Sequence, residues 1–149
     1  MIGQVTKMSI TCYDYLKKSI ELNGDFTAAI TFGNKIKMSK LVHDIDAVAA
    51  YINEIGIGKG DAVTVFLPTT VHAFVFYALN KIGVIANIVH PLTSPEGLIE
   101  SINVTKSKAV FILDILAAQY VKVINESGLP CIICSNSDYT SMPVSPAIK

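Results

Sequence analysis

Two hydrophobic periods alternate along the middle of this chain. Residues 62–67 are an apolar run rich in β-formers, the pattern of a strand buried on both faces. Pro68, Thr69 and Thr70 break the run. Val71, Phe74, Val75, Ala78 and Ile82 then recur at helical spacing, Gly83 stops them, and residues 84–89 return as a second apolar strand. Two buried strands joined through a helix predict a βαβ unit and a parallel sheet.

The flanks extend the pattern. Residues 9–23 predict an amphipathic helix with Ile10, Tyr13, Leu16 and Ile20 on one face, stopped at Asn23-Gly24-Asp25. Residues 27–32 and 35–38 predict a small antiparallel hairpin beside the main sheet, with Gly33-Asn34 as a type II′ loop. Ser39 is the expected N-cap of a helix reaching Ile55, with Gly56 just past its end. Ser94, Pro95 and Glu96 read as cap, first turn and dipole partner of a further helix that turns Leu98, Ile99 and Ile102 inward. A third strand over 108–113 follows, then a helix over 115–127 with Asp114 as its expected cap. A fourth strand covers 131–134. Residues 138–149 have turn residues and no period, so the chain divides into an α/β unit over 1–137 and a loop or frayed tail over 138–149. The fold class is α/β: a layered, mainly parallel sheet flanked by helices, with a small peripheral antiparallel ribbon.

The helix that begins at Thr70 and closes at Ile82 changes this picture. Ala73, Phe76, Tyr77 and Leu79 make it apolar almost all round, as expected of a helix buried in a larger protein or used as an interface. Composition agrees: 51% of the 149 residues are hydrophobic and only 16% are charged, against about 25% in typical globular chains. The helix is therefore a candidate surface for homodimerisation or for the rest of a larger enzyme. A membrane span is not expected, because the uncharged stretch over 62–80 holds Pro68, Thr69, Thr70 and His72 and begins β-prone. The first ten residues lack the apolar core of a secretory signal, so a cytoplasmic protein is expected.

Charge excludes another class. Twelve Lys balance twelve Asp and Glu, and no Arg is present. Neither a basic face nor the bidentate guanine contacts of Arg are available, so no nucleic-acid partner is expected.

Candidate chemistry is sparse. Glycines over 56–60 follow a helix and precede a strand, the reverse of a phosphate loop, and so read as a tight connection. Cys131 and Cys134 match C-x-x-C, but strand alternation sends their sulfurs to opposite faces, and Cys12 lies far away. Reduced, mostly buried thiols suit a cytosolic setting. His43, His72 and His90 show no ligand spacing; His43 and His72 read as partly exposed helix residues. His90 and Asp114 follow strand ends, where open α/β sheets place ligands, as do Pro68, Thr69 and Thr70. Their plainer roles are turn and cap, and Thr70 is the expected cap of its helix.

The segments Gly60-Asp61-Ala62-Val63-Thr64-Val65-Phe66-Leu67-Pro68, Ala78-Leu79-Asn80-Lys81-Ile82-Gly83-Val84 and Pro91-Leu92-Thr93-Ser94-Pro95-Glu96 resemble, in that order and spacing, the N-terminal region of the adenylate-forming ligases. That superfamily includes acyl-CoA synthetases, aryl-CoA ligases and peptide-synthetase adenylation domains. The resemblance covers residues 27–114. It implies, for a full-length enzyme, ATP-dependent activation of a carboxylate to an acyl-adenylate, release of pyrophosphate and transfer to CoA, with Mg²⁺ as the metal. The family's Ser/Thr/Gly-rich phosphate loop ending in Pro-Lys-Gly, its acidic ribose contact and its late catalytic Lys are not found in this chain. Thr69 and His72 stand where many members have Asn and Glu. No catalytic, cofactor-binding or metal-binding residue is carried over, so the chain alone is not expected to be active. The alternative is a stand-alone flavodoxin-like module that binds a ligand near Pro68, His90 and Asp114, or that serves interaction.

Overall fold

The computed structural model describes residues 10–31 and 33–135, without the side chains at 69–72. Helix α1 (Cys12–Asn23) leads into a hairpin of β1 (Thr27–Thr31) and β2 (Asn34–Lys37), followed by α2 (Met38–Glu54). The main sheet then builds through β3 (Ala62–Phe66), α3 (Thr69–Ile82), β4 (Ile85–Ile88), α4 (Pro95–Thr105), β5 (Val110–Leu113), α5 (Asp114–Glu126) and β6 (Cys131–Cys134). Its strands are all parallel, in the order β4-β3-β5-β6, and the antiparallel β1-β2 pair is a separate sheet. The predicted α/β class, parallel sheet and peripheral ribbon are what the chain forms.

β3 occupies the middle of the sheet and is buried at all five positions. Val63, Val65 and Leu67 pack on one face with Ile52 of α2 and Val75 and Leu79 of α3. Phe66 faces the other side with Leu98 and Ile102 of α4 and Tyr120 and Ile124 of α5. A third cluster joins Tyr13 of α1, Ile45 and Ala49 of α2, and Phe74 and Ala78 of α3. Helices α2 and α3 therefore cover one face, α4 and α5 the other, and α1 lies outside α2 and α3.

The third cluster revises the sequence picture of α3. Two sides of this helix are buried within the chain itself, on the sheet through Val75 and Leu79 and on α1 and α2 through Phe74 and Ala78. Its place between layers accounts for these two sides, while Ala73 is exposed and Phe76 half-buried on the rest of the helix.

Four local expectations are corrected. Asn34 pairs with Thr31, so the hairpin loop lies one residue earlier, and Gly33 at φ 79° holds its second position rather than the first that a type II′ turn requires. Ser39 is inside α2, not its cap. Asp25, fourteen residues earlier, accepts the Ser39 N–H at 2.9 Å and the Ser39 hydroxyl at 2.8 Å, so the cap comes from outside the local sequence. α3 starts at Thr69 behind Pro68, which has no polar side chain, so Thr70 is a first-turn residue and not the cap. Ile10 is exposed ahead of α1, which opens instead on a reciprocal capping box between Thr11 and Asp14. The expected stops Gly56, Gly83 and Gly128 all fall just past their helices.

Among the described residues no helix is long and apolar enough to cross a membrane. The expected tail over 138–149 and the side chains of Thr69, Thr70 and His72 lie outside the described residues.

Candidate functional site

In an open parallel sheet, ligands sit beyond the carboxyl ends of the strands where the strand order reverses direction. Here β3 leads to β4 on one side, whereas β5 and β6 add on the other, so the reversal falls between β3 and β5. Three connections frame that edge: residues 67–68 after β3, residues 89–94 after β4, and the junction of Leu113 with Asp114 after β5.

Tyr120 of α5 ties two of these connections together. Its ring packs against Phe66 at 4.9 Å between centroids, and its hydroxyl donates to the Thr93 carbonyl at 2.7 Å. The loop after β4 is thereby held to the end of β3. Ser94 then caps α4 by accepting the Gly97 N–H at 3.2 Å, with Pro95 in the first turn, as the sequence leads one to expect. Gly97 has a steric reason to be there: a Cβ at this position would lie 2.9 Å from the Thr93 methyl, too close for real contacts. Sequence reading placed Tyr120 only as an inward residue. Its hydroxyl contact joins residues 27 positions apart and leaves no local signal.

His90 is exposed and part of a tight turn. Its Nδ1 accepts the Leu92 N–H at 3.2 Å and its carbonyl accepts the Thr93 N–H at 2.9 Å. Among the described residues no carboxylate hydrogen-bonds to it, so the imidazole has no acid–base partner to orient it. Asp114 is the first residue of α5 rather than its cap, and its carboxylate accepts the neighbouring Ile115 N–H at 2.7 Å. Both residues end at the expected edge, and both have local structural work.

The remaining candidates separate. Cys131 packs with the α4 and α5 side of the sheet and Cys134 with the α2 and α3 side, so alternation does part the two sulfurs. Burial pushes the Cys131 thiol up, which suppresses the reactive thiolate. Cys12 is exposed and His43 lies on α2 beside Asp44. Among the described residues no three His, Cys, Asp or Glu side chains converge as metal ligands. The Gly58–Asp61 connection is tight, as expected: Asp61 accepts the Gly58 N–H at 3.0 Å and pairs with Lys108 at 2.7 Å.

Sequence reasoning missed a polar network under α4. Thr64, fully buried on β3, donates to Ser107 Oγ at 2.8 Å and accepts from Asn87 Nδ2 at 3.0 Å. The same Asn87 amide reaches Ser101 Oγ at 3.0 Å and Thr105 Oγ1 at 3.2 Å. The network fixes α4 on the sheet and so positions the loop that precedes it.

Topology and edge together define an open-sheet α/β protein of the kind that takes ligands at its strand ends. A family model described as AMP-binding enzyme matches residues 16–143, and the chain belongs to that family. It is 25% identical over 122 residues to the long-chain-fatty-acid–CoA ligase of Escherichia coli O157:H7, covering 80% of this chain and 22% of the relative. It is 31% identical over 116 residues to the acetyl-coenzyme A synthetase of Methylorubrum populi, covering 73% of this chain and 17% of the relative. Among solved structures, the anthranilate CoA ligase AuaEII in complex with anthranoyl-AMP superposes with a TM-score of 0.77 at 13% identity, over 93% of this chain and 29% of that one. A long-chain-fatty-acid-CoA ligase from Archaeoglobus fulgidus gives 0.75 at 18% identity, over 85% and 29%. These two likenesses concern the fold. The chain spans about a fifth of the length of the curated relatives it matches.

Proposed function

We propose that this chain is the N-terminal part of a cytoplasmic, ATP-dependent, AMP-forming carboxylate–CoA ligase, and that it does not catalyse adenylation by itself. The observation that carries this reading is the family match over residues 16–143, set against a strand-end edge at which no three carboxylate, imidazole or thiol groups converge among the described residues. In the whole enzyme ATP, Mg²⁺ and CoA would be used. This chain's contribution would be the rigid sheet edge and the loop over 89–94, locked by Tyr120, against which the rest of the active site assembles.

Carboxylate-dependent ATP–pyrophosphate exchange tests the reading. The purified chain is expected to show none above background with acetate, long-chain fatty acids or anthranilate, and exchange with any of them overturns it. An in-frame continuation of the coding DNA past Lys149 into a Gly-rich loop ending in Pro-Lys-Gly is the expected genomic context.

The second reading is a stand-alone ligand-binding module, favoured by the open strand-end edge between β3 and β5. Saturable thermal stabilisation by a nucleotide or an acyl-CoA, without exchange activity, would select it. Dimerisation through α3 is not proposed, because its Phe74, Val75, Ala78 and Leu79 are already used within the chain.

A further inference from the structure

α1 is fastened to the rest of the chain at Tyr13. Of its 12 residues Tyr13 is buried, Leu16, Ser19 and Ile20 are half-buried, and the others are exposed. The Tyr13 backbone N–H donates to Asn80 Oδ1 at 3.2 Å, and its hydroxyl donates to Asp46. Lys81 stands over the Tyr13 ring and pairs with the same Asp46. The ring itself fills a cluster with Ile45 and Ala49 of α2 and Phe74 and Ala78 of α3, against which Leu16 and Ile20 pack. Among the described residues, the two clusters on the faces of the sheet contain no residue of α1.

The chain beyond α1 is fastened separately. Gly24 follows the helix at φ 71°, and a Cβ built on it would meet nothing within 4 Å. From the next residue on, the backbone is tied to α2. Asp25 holds Ser39, and the Phe26 carbonyl accepts the Met38 N–H at 2.9 Å. α1 can therefore leave by turning at Gly24, without disturbing the hairpin or the cap of α2. A helix of 12 residues is marginal in water by itself, so α1 unwinds once it undocks.

We propose that α1 is a latch that opens as a unit, undocking and unwinding up to Gly24 while the sheet and α2 to α5 stay folded, and that the clasp of Tyr13, Asp46 and Lys81 sets how often it opens. Segments held by few buried apolar contacts open at lower cost than the whole chain unfolds. α1 meets that condition, with its single buried side chain. Opening empties the place of Tyr13 beside Phe74 and Ala78, so this part of the α2–α3 surface is covered only while the clasp is shut. The latch rests on contacts within this chain and holds whether or not the ligase reading does.

Native-state amide exchange of the full chain, across urea concentrations below its unfolding transition, is the test. The amides of residues 16–23 are expected to share one opening, with protection at least about tenfold below that of β3 and β5. Its urea dependence should be shallower, because less surface is exposed. Ile112→Val combined with Ile124→Val, both fully buried on the α4–α5 side of the sheet, should speed exchange in β3 at least about fivefold. The same pair should leave α1 unchanged, since those contacts persist when α1 alone opens. Asp46→Ala should speed exchange in α1 at least about fivefold by breaking the clasp, and in β3 alike, because it weakens the closed state.

Equal protection and equal urea slopes for α1 and β3 in the wild-type chain overturn the proposal, since α1 then opens only with the whole. That reading needs no variant to fold. Protection in α1 that varies residue by residue, without urea dependence, overturns it in favour of fraying. α1 exchange that speeds up with β3 in the double valine variant also overturns it, and α1 exchange untouched by Asp46→Ala removes the clasp.

Discussion

The hydroxyl of Tyr13 donates to Oδ1 of Asp46, the same oxygen that Lys81 Nζ reaches at 2.8 Å. Lys81 also lies 4.8 Å above the Tyr13 ring. One carboxylate on α2 thus joins α1 to α3. Tyr13→Phe keeps the packing and loses one bond, a cost of about 0.5–1.5 kcal/mol, whereas Asp46→Ala leaves a buried hydroxyl unpaired and should cost about 1–3 kcal/mol. Urea denaturation of both variants checks the order.

The same carboxylate gives a pH dependence. Burial by itself pushes Asp46 up, but the bonds from Lys81 and Tyr13 and the charges of Lys81 and Lys17 outweigh it and hold the group below its ordinary 3.8. A depressed carboxyl contributes stability that is fully present above the unfolded value and lost as pH falls through the folded one. The stability difference between wild type and Asp46→Asn is therefore expected to stay level from neutral pH down to about 4 and to shrink below it. A difference that grows on acidification contradicts the assignment.

Asp25 caps α2 from the far side of the hairpin. Asp25→Ala should lower the melting temperature measurably, because it strips the Ser39 N–H of its acceptor at a helix terminus. Ser39→Ala should do much less, since its backbone N–H still finds Asp25. The opposite order would restore Ser39 as the cap.

Gly97→Ala sets two effects against each other. Alanine favours a helix by about 1 kcal/mol, while a Cβ 2.9 Å from the Thr93 methyl costs about 1–3 kcal/mol. The substitution should destabilise. In a Thr93→Ser background the methyl is gone, and the same change should become neutral or stabilising. Four melting curves complete the cycle.

Thr64→Val removes a buried hydroxyl at nearly constant volume. Ser107 keeps Thr105 at 2.8 Å and Asn87 keeps Ser101, so the loss should sit near the low end of about 1–3 kcal/mol. Adding Ser107→Ala should recover part of it, measured by urea unfolding.

The elements set by one-dimensional pattern were legible. A buried β run, a helix period and a stopping glycine locate β3, α3 and β4 because each signal lies within a few neighbouring residues. Pro95 and Ser94 mark α4 for the same reason. What escaped was held from a distance. Asp25 as the cap of α2, Tyr120 as the anchor of Thr93 and Asn87 as the centre of a polar network each act between segments that only the fold brings together. The apolar surround of α3 was visible but ambiguous, since a helix packed between layers and a helix awaiting a partner carry the same composition. At the strand-end edge, sequence named turn and cap as the plainer roles of His90 and Asp114; His90 does hold a turn, whereas Asp114 begins α5 instead of capping it.

Synthesis delivers β3 before both of its neighbours. Its partners, β4 and β5, begin at Ile85 and Val110, so a nascent chain that stops between them carries a strand apolar at all but Thr64 and flanked on one side at most. Such chains are open to mispairing with any strand they meet. By Leu113 both strand partners of β3 exist, yet Phe66 still lacks Tyr120 and Ile124, so the central strand of the sheet is the first begun and among the last to be covered.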